Sequence, residues 1–84
     1  MALKISLHAH AKDRLRERGA TEKEIFATVE RGERFEAKHG RIGFRCNFPF
    51  DSEWKNTRYS TKQVEAYAVE EDGWLVITAI VKFF

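Results

Sequence analysis

Eighty-four residues with a formal charge of +2 suffice for one domain, 1–84, and exclude a second. Hydrophobic residues at 43% and aromatics at 13% supply a core, and the single cysteine excludes an intrachain disulfide, as expected in a reducing compartment. The longest apolar run, Trp74 to Val81, is far shorter than the roughly 20 residues of a membrane helix, and Met1 to Leu7 lacks the apolar stretch of a secretory signal, so the expected location is the cytoplasm, with no membrane contact.

Charge is unevenly spread. Residues 1–50 hold 11 Lys or Arg against 7 Asp or Glu, a balance of +4, whereas residues 51–84 hold 4 against 6, a balance of −2. Seven of the eight arginines lie between Arg14 and Arg45. Arginine carries a fixed fork of donors suited to phosphate, so the basic half has the footprint of a nucleic-acid binder. The same half also carries Glu17, Glu22, Glu24, Glu30, Glu33 and Glu36 among its arginines, which fits a salt-bridged surface equally well.

In chain order, Leu3, Ile5 and Leu7 alternate with polar residues, which predicts a short strand or an extended lead-in over Leu3–Leu7. A helix is expected over about His8 to Arg18, with Ser6 or His8 at its start and Gly19 at its end. Thr21 and Glu24 have the spacing of a capping box, and a second helix over about Glu22 to Arg31 should bury Ile25, Phe26 and Val29 before Gly32 closes it. The period then changes from 3.6 to 2. Arg34 to Lys38 reads as a strand, His39-Gly40 as a tight turn, and Arg41 to Phe48 as a strand with Arg41, Gly43, Arg45 and Asn47 on one side. Pro49 to Asn56 reads as a loop. Val64 to Val69, with a start as early as Tyr59, is the next strand, Asp72-Gly73 the hairpin turn, and Trp74 to Phe84 the last strand. Strict alternation along that strand places Trp74, Val76, Thr78 and Ile80 on one face and Leu75, Ile77, Ala79, Val81 and Phe83 on the other. A strand apolar on both sides requires cover on both, from the Trp54 loop, a second copy or a partner protein.

The expected fold is α+β, with two N-terminal helices packed on one face of an antiparallel sheet of three to four strands.

The first helix carries the most pointed chemistry. Leu7, Ala11 and Leu15 form its apolar stripe, and His10, Arg14 and Arg18, spaced four apart, make a cationic ridge along the margin of that stripe. A charge there needs a partner or a ligand. In one reading the ridge is a phosphate site, with His10 as acid or base and the arginines stabilising charge. In the other, Arg14 and Arg18 run their stems over the core to a carboxylate such as Glu65 or Glu36. His8 and His10 diverge by about 200° on a helix and no ligand set has zinc spacing, so neither metal nor cofactor is expected. Cys46, between Phe44 and Phe48, reads as a core thiol. Arg41, Arg45 and Tyr67 form a second candidate on the open side of the sheet, where arginine and aromatic side chains can hold RNA by phosphate contact and base stacking.

The run His10-Ala11-Lys12-Asp13-Arg14-Leu15-Arg16-Glu17-Arg18-Gly19 resembles the HAxxRxxERG signature of an uncharacterised bacterial family allied to the RelE and BrnT toxins. Leu75-Val76-Ile77-Thr78-Ala79-Ile80 is similar to that family's final strand, of VVTVY type, and the likeness extends over about His10 to Val81. It implies a RelE-like fold and a metal-independent endoribonuclease or RNA-binding protein of toxin–antitoxin type. Such toxins use basic and tyrosine residues on RNA, and BrnT-like ones are held inactive by an antitoxin. On this basis His10, Arg14, Arg45 and Tyr67 are the candidate catalytic residues. Arg18, Arg41, Arg34 and Lys38 are the candidate nucleic-acid-binding residues.

Two alternatives come from different classes. One is a non-catalytic protein-interaction module or homodimer through the sheet, motivated by the two-sided last strand. The other is a duplex-binding helix-turn-helix joined through Gly19-Ala20-Thr21, which is disfavoured because Glu22 and Glu24 bring negative charge to the tip of its second helix.

Overall fold

A computed structural model describes residues 4–84. In chain order the elements are β1 (Ile5–Leu7), α1 (Ala9–Arg18), α2 (Glu22–Arg31), β2 (Glu33–Glu36), β3 (Ile42–Trp54), β4 (Thr57–Glu70) and β5 (Trp74–Phe83). The strands form one sheet in the order β1-β5-β4-β3-β2. Its three hairpin pairings are antiparallel, and β1 lies parallel to β5. The sheet therefore has five strands and is mixed, not three to four and antiparallel. The fifth strand is the three-residue β1, held by a distant partner: Trp74 N–H donates to the Lys4 carbonyl at 2.8 Å and His8 N–H to the Val76 carbonyl at 2.9 Å. Leu3, placed in this strand from the sequence, lies outside the described residues.

Both helices start and stop where local chemistry dictates. His8 caps α1, its Nδ1 accepting from His10 N–H at 3.1 Å, and Gly19 ends it at φ +79°. Thr21 and Glu24 form a reciprocal capping box, with Thr21 N–H donating to Glu24 Oε1 at 2.9 Å and Glu24 N–H to Thr21 Oγ1 at 3.2 Å. The helices lie on one face of the sheet, burying Ala11 and Leu15 of α1 and Ile25 and Val29 of α2 over Phe44, Val64, Ala66 and Val76. Thr28 takes the buried place expected of Phe26, which is only half-buried. The hydroxyl of Thr28 is satisfied within the helix by the Glu24 carbonyl at 2.7 Å.

Two bulges separate the sheet from strict alternation. Pro49 to Trp54, read as loop from the sequence, continues β3 through an irregularity between Pro49 and Ser52, and the chain reverses at Lys55-Asn56, both at positive φ. Proline is tolerated because β2 ends beside Arg45, so β3 is an edge strand at Pro49. Thr61, opposite Pro49, spends its own N–H on Phe84. The second bulge lies in β5, where Tyr67 pairs Thr78 but Ala68 pairs Val76, leaving Ile77 extra. It turns Ala79, Val81 and Phe83 to the helix side with Trp74 and Val76, and Leu75, Thr78 and Ile80 to the open side. The last strand is thus not apolar on both faces throughout. Trp54 stacks on Phe83 and its ring abuts Gly19, so the β3–β4 arm covers the helix side and not the open face.

Candidate functional site

The open face of the sheet holds a cleft of about 520 Å³ whose charged and aromatic walls are Arg18, Lys38, His39, Arg41, Phe35 and Tyr67. Ala37, Thr78 and Ile80 complete its lining. Three separate features bring these residues together. Arg18 is the last residue of α1, and its guanidinium donates to the Ala79 carbonyl on the stretch of β5 beyond its pairing with β1. The β2–β3 reversal sets Lys38, His39 and Arg41 at the rim: His39 and Gly40 take φ of +62° and +70°, and Ala37 N–H donates to the Arg41 carbonyl at 3.0 Å. Gly43 makes room at the floor. It pairs with both Phe35 and Tyr67, and a Cβ on it would collide with the Phe35 ring, so that ring lies over bare backbone.

Tyr67 meets Phe35 edge to face at 6.0 Å between centroids, and the Arg45 guanidinium lies over the Phe35 ring at 4.7 Å. The Tyr67 hydroxyl donates to Glu65 Oε1 at 2.8 Å. Burial, then the hydrogen bond and charge of Glu65, raise the Tyr67 phenol above its usual pKa of 10, with Arg45 pulling the other way. The phenol is therefore neutral at physiological pH. Glu65 is 5% exposed and faces two cations, Arg45 Nε at 3.4 Å and Lys82 Nζ at 3.5 Å, both at Oε2. Arg45 Nε is near enough for an ion pair but lacks hydrogen-bond geometry.

Of the residues singled out from the sequence, Tyr67, Arg18, Arg41 and Lys38 line this cleft, and Arg45 stands behind its Phe35 wall. Arg18 meets a backbone carbonyl there, not Glu65 or Glu36. His10 and Arg14 are exposed on α1, outside the lining, and Arg34 lies over the Trp74 ring at 5.1 Å. Cys46 is half-buried, short of the core position expected for it. The cleft adds Phe35 and His39, and behind it the buried Glu65. His39 was legible only as half of a turn, and Glu65 only as a carboxylate for Arg14 or Arg18, whereas it meets Arg45, Lys82 and Tyr67. Lys38 and Arg41 form no ion pair among the described residues, which leaves two cations at the rim without a protein counter-charge. A groove of about 550 Å³ between the helices is lined by both signs of charge, including Lys12, Asp13, Arg16 and Glu22, and the capping box already occupies donors at the start of α2. Among the described residues, no three His, Cys, Asp or Glu side chains are placed to hold a metal ion.

No protein-family model, curated protein or solved structure matches the chain.

Proposed function

We propose that the open-face cleft binds single-stranded RNA and cleaves it without a metal, as an endoribonuclease of RelE/BrnT-like toxin type. The observation that carries this is the convergence of Arg18, Lys38, His39 and Arg41 around a neutral tyrosine and an aromatic wall in one cleft. Cationic side chains contact the backbone phosphates, and Phe35 offers an aromatic edge to a splayed base. RNA brings its own nucleophile, the 2′-hydroxyl next to each phosphate. The protein need only hold the phosphate with Arg18, Arg41 and Lys38, relay the 2′-hydroxyl proton through Tyr67, which takes it as its own phenolic proton passes to the Glu65 carboxylate, and stabilise the charge that develops. A protonated imidazole is a hydrogen-bond donor at both nitrogens, which suits His39 to protonating the leaving 5′ oxygen. The toxin assignment rests on the signature at His10 to Gly19, with an antitoxin protein as the corresponding partner.

The test is cleavage of a mixed RNA pool by the purified chain, freed of any copurified protein, in excess chelator. Fragments ending in 2′,3′-cyclic phosphate are expected. Replacing Tyr67 with Phe or Arg41 with Ala should lower the rate by about 10²-fold or more. His10→Ala should be nearly silent, because His10 does not line the cleft. RNA left intact by the partner-free protein rejects the nuclease.

A further inference from the structure

The direction of one hydrogen bond at the cleft suggests how the site tells RNA from DNA. Glu65 is buried and takes three approaches: the Tyr67 hydroxyl at Oε1, and Arg45 and Lys82 at Oε2. An ionised carboxylate can only accept, and both cations can only donate. The phenolic proton is therefore committed to Glu65. A ligand that reaches the Tyr67 oxygen from the cleft therefore meets its lone pairs, so Tyr67 accepts from that ligand and does not donate to it.

We propose that the Glu65–Tyr67 pair is the specificity determinant of the cleft, reading a ribose 2′-hydroxyl as a hydrogen-bond donor and so favouring RNA over DNA of the same sequence. The inference rests on the cleft being a nucleic-acid site. The other oxygens along a nucleic-acid backbone, phosphate and ring, have no proton to give, and the 2′-hydroxyl is the sugar group that RNA has and DNA lacks. Phosphate contacts from Arg18, Lys38 and Arg41 hold both polymers alike. Discrimination therefore falls to a group that needs a donor. Arg45 and Lys82, the charged groups facing Glu65 from β3 and β5, both approach Oε2 and leave Oε1 to the phenol, which holds the orientation.

Glu65→Gln makes the inference testable, because it should reverse the bond. Arg45 and Lys82 require an oxygen, so the amide oxygen takes the Oε2 place and the amide nitrogen faces Tyr67. The nitrogen then donates to the phenol, whose own proton swings into the cleft. The experiment is fluorescence anisotropy with a short labelled single-stranded oligoribonucleotide and its deoxy counterpart, read in the cold before cleavage. The wild type should bind the RNA about three- to tenfold more tightly, the range of one net hydrogen bond. In Glu65→Gln and in Tyr67→Phe that ratio should fall towards one through loss of RNA affinity, with DNA affinity unchanged. Damage to the fold would weaken both polymers together. Tyr67→Phe leaves the ion pairs of Glu65 in place, so it decides the matter if Glu65→Gln does not fold. Equal binding of the two polymers by the wild type, or a preference that survives both substitutions, overturns the inference alone. Binding of neither polymer removes the nucleic-acid site and the inference with it.

Discussion

Gly43 shows how an absent side chain can build a site. Phe35 and Tyr67 flank it across β2 and β4, and the Phe35 ring occupies the space a Cβ would need. With the ring held down, the cleft stays open beside Tyr67. In Gly43→Ala the ring must rise into the cleft, with an overpacking cost of about 1–3 kcal/mol. Urea denaturation should show that loss, and RNA affinity should fall with it; an alanine variant of full stability and affinity would show that the ring can move aside freely. Lys62 is a different single-residue device. Only 6% exposed, it reaches Glu24 Oε1 and the Gly19 carbonyl, each at 2.8 Å, and so ties β4 to both ends of the turn between the helices.

At the scale of elements, the helix–turn–helix segment and the β2–β3 hairpin do different work. The first is fixed by short-range chemistry. The Thr21–Glu24 box sets the start of α2, and because Glu24 also holds Lys62, the cap and the sheet anchor share one carboxylate. Thr21→Ala should cost about 1 kcal/mol, measured as a shift in the denaturation midpoint with unchanged slope, and Thr21→Asp should restore most of it. A midpoint unmoved by alanine would mean that Lys62 alone positions the helix. The hairpin places Lys38, His39 and Arg41 by its positive-φ turn, and the β3–β4 arm folds Trp54 onto Phe83 and the end of α1.

Over the whole molecule a charge of +2 is a weak attraction for a polyanion. The distribution matters more, since three cations at one cleft can each displace a counterion from a bound strand. With Arg18, Lys38 and Arg41 engaged, the logarithm of RNA affinity should fall with the logarithm of salt concentration at a slope of about −2, and Arg41→Ala should flatten it by about 0.7. A slope near zero would mean that phosphates are not what the cleft holds. No helix among the described residues is long and apolar enough to cross a membrane.

Much of the scaffold was legible in the residues because it is local. His8, Gly19, Thr21 and Glu24 act within one or two turns of chain, and His39-Gly40 and Asp72-Gly73 each reverse it with residues that tolerate positive φ. The basic and aromatic content of the cleft was legible too: Arg18, Lys38, Arg41 and Tyr67 stood out before their arrangement was known. Their meeting was not, since it depends on pairings between distant segments. β1 needs β5 across more than sixty residues, and the bulge at Ile77 shifts the alternation by one, which sends every later side chain of β5 to the opposite face. Glu65 and His39 gained their places the same way, from register and from a turn that overhangs the sheet. Spacing along a chain specifies which groups a helix or strand can present, but which of them share a cleft is set by the cross-strand register, to which residues near in sequence contribute almost nothing.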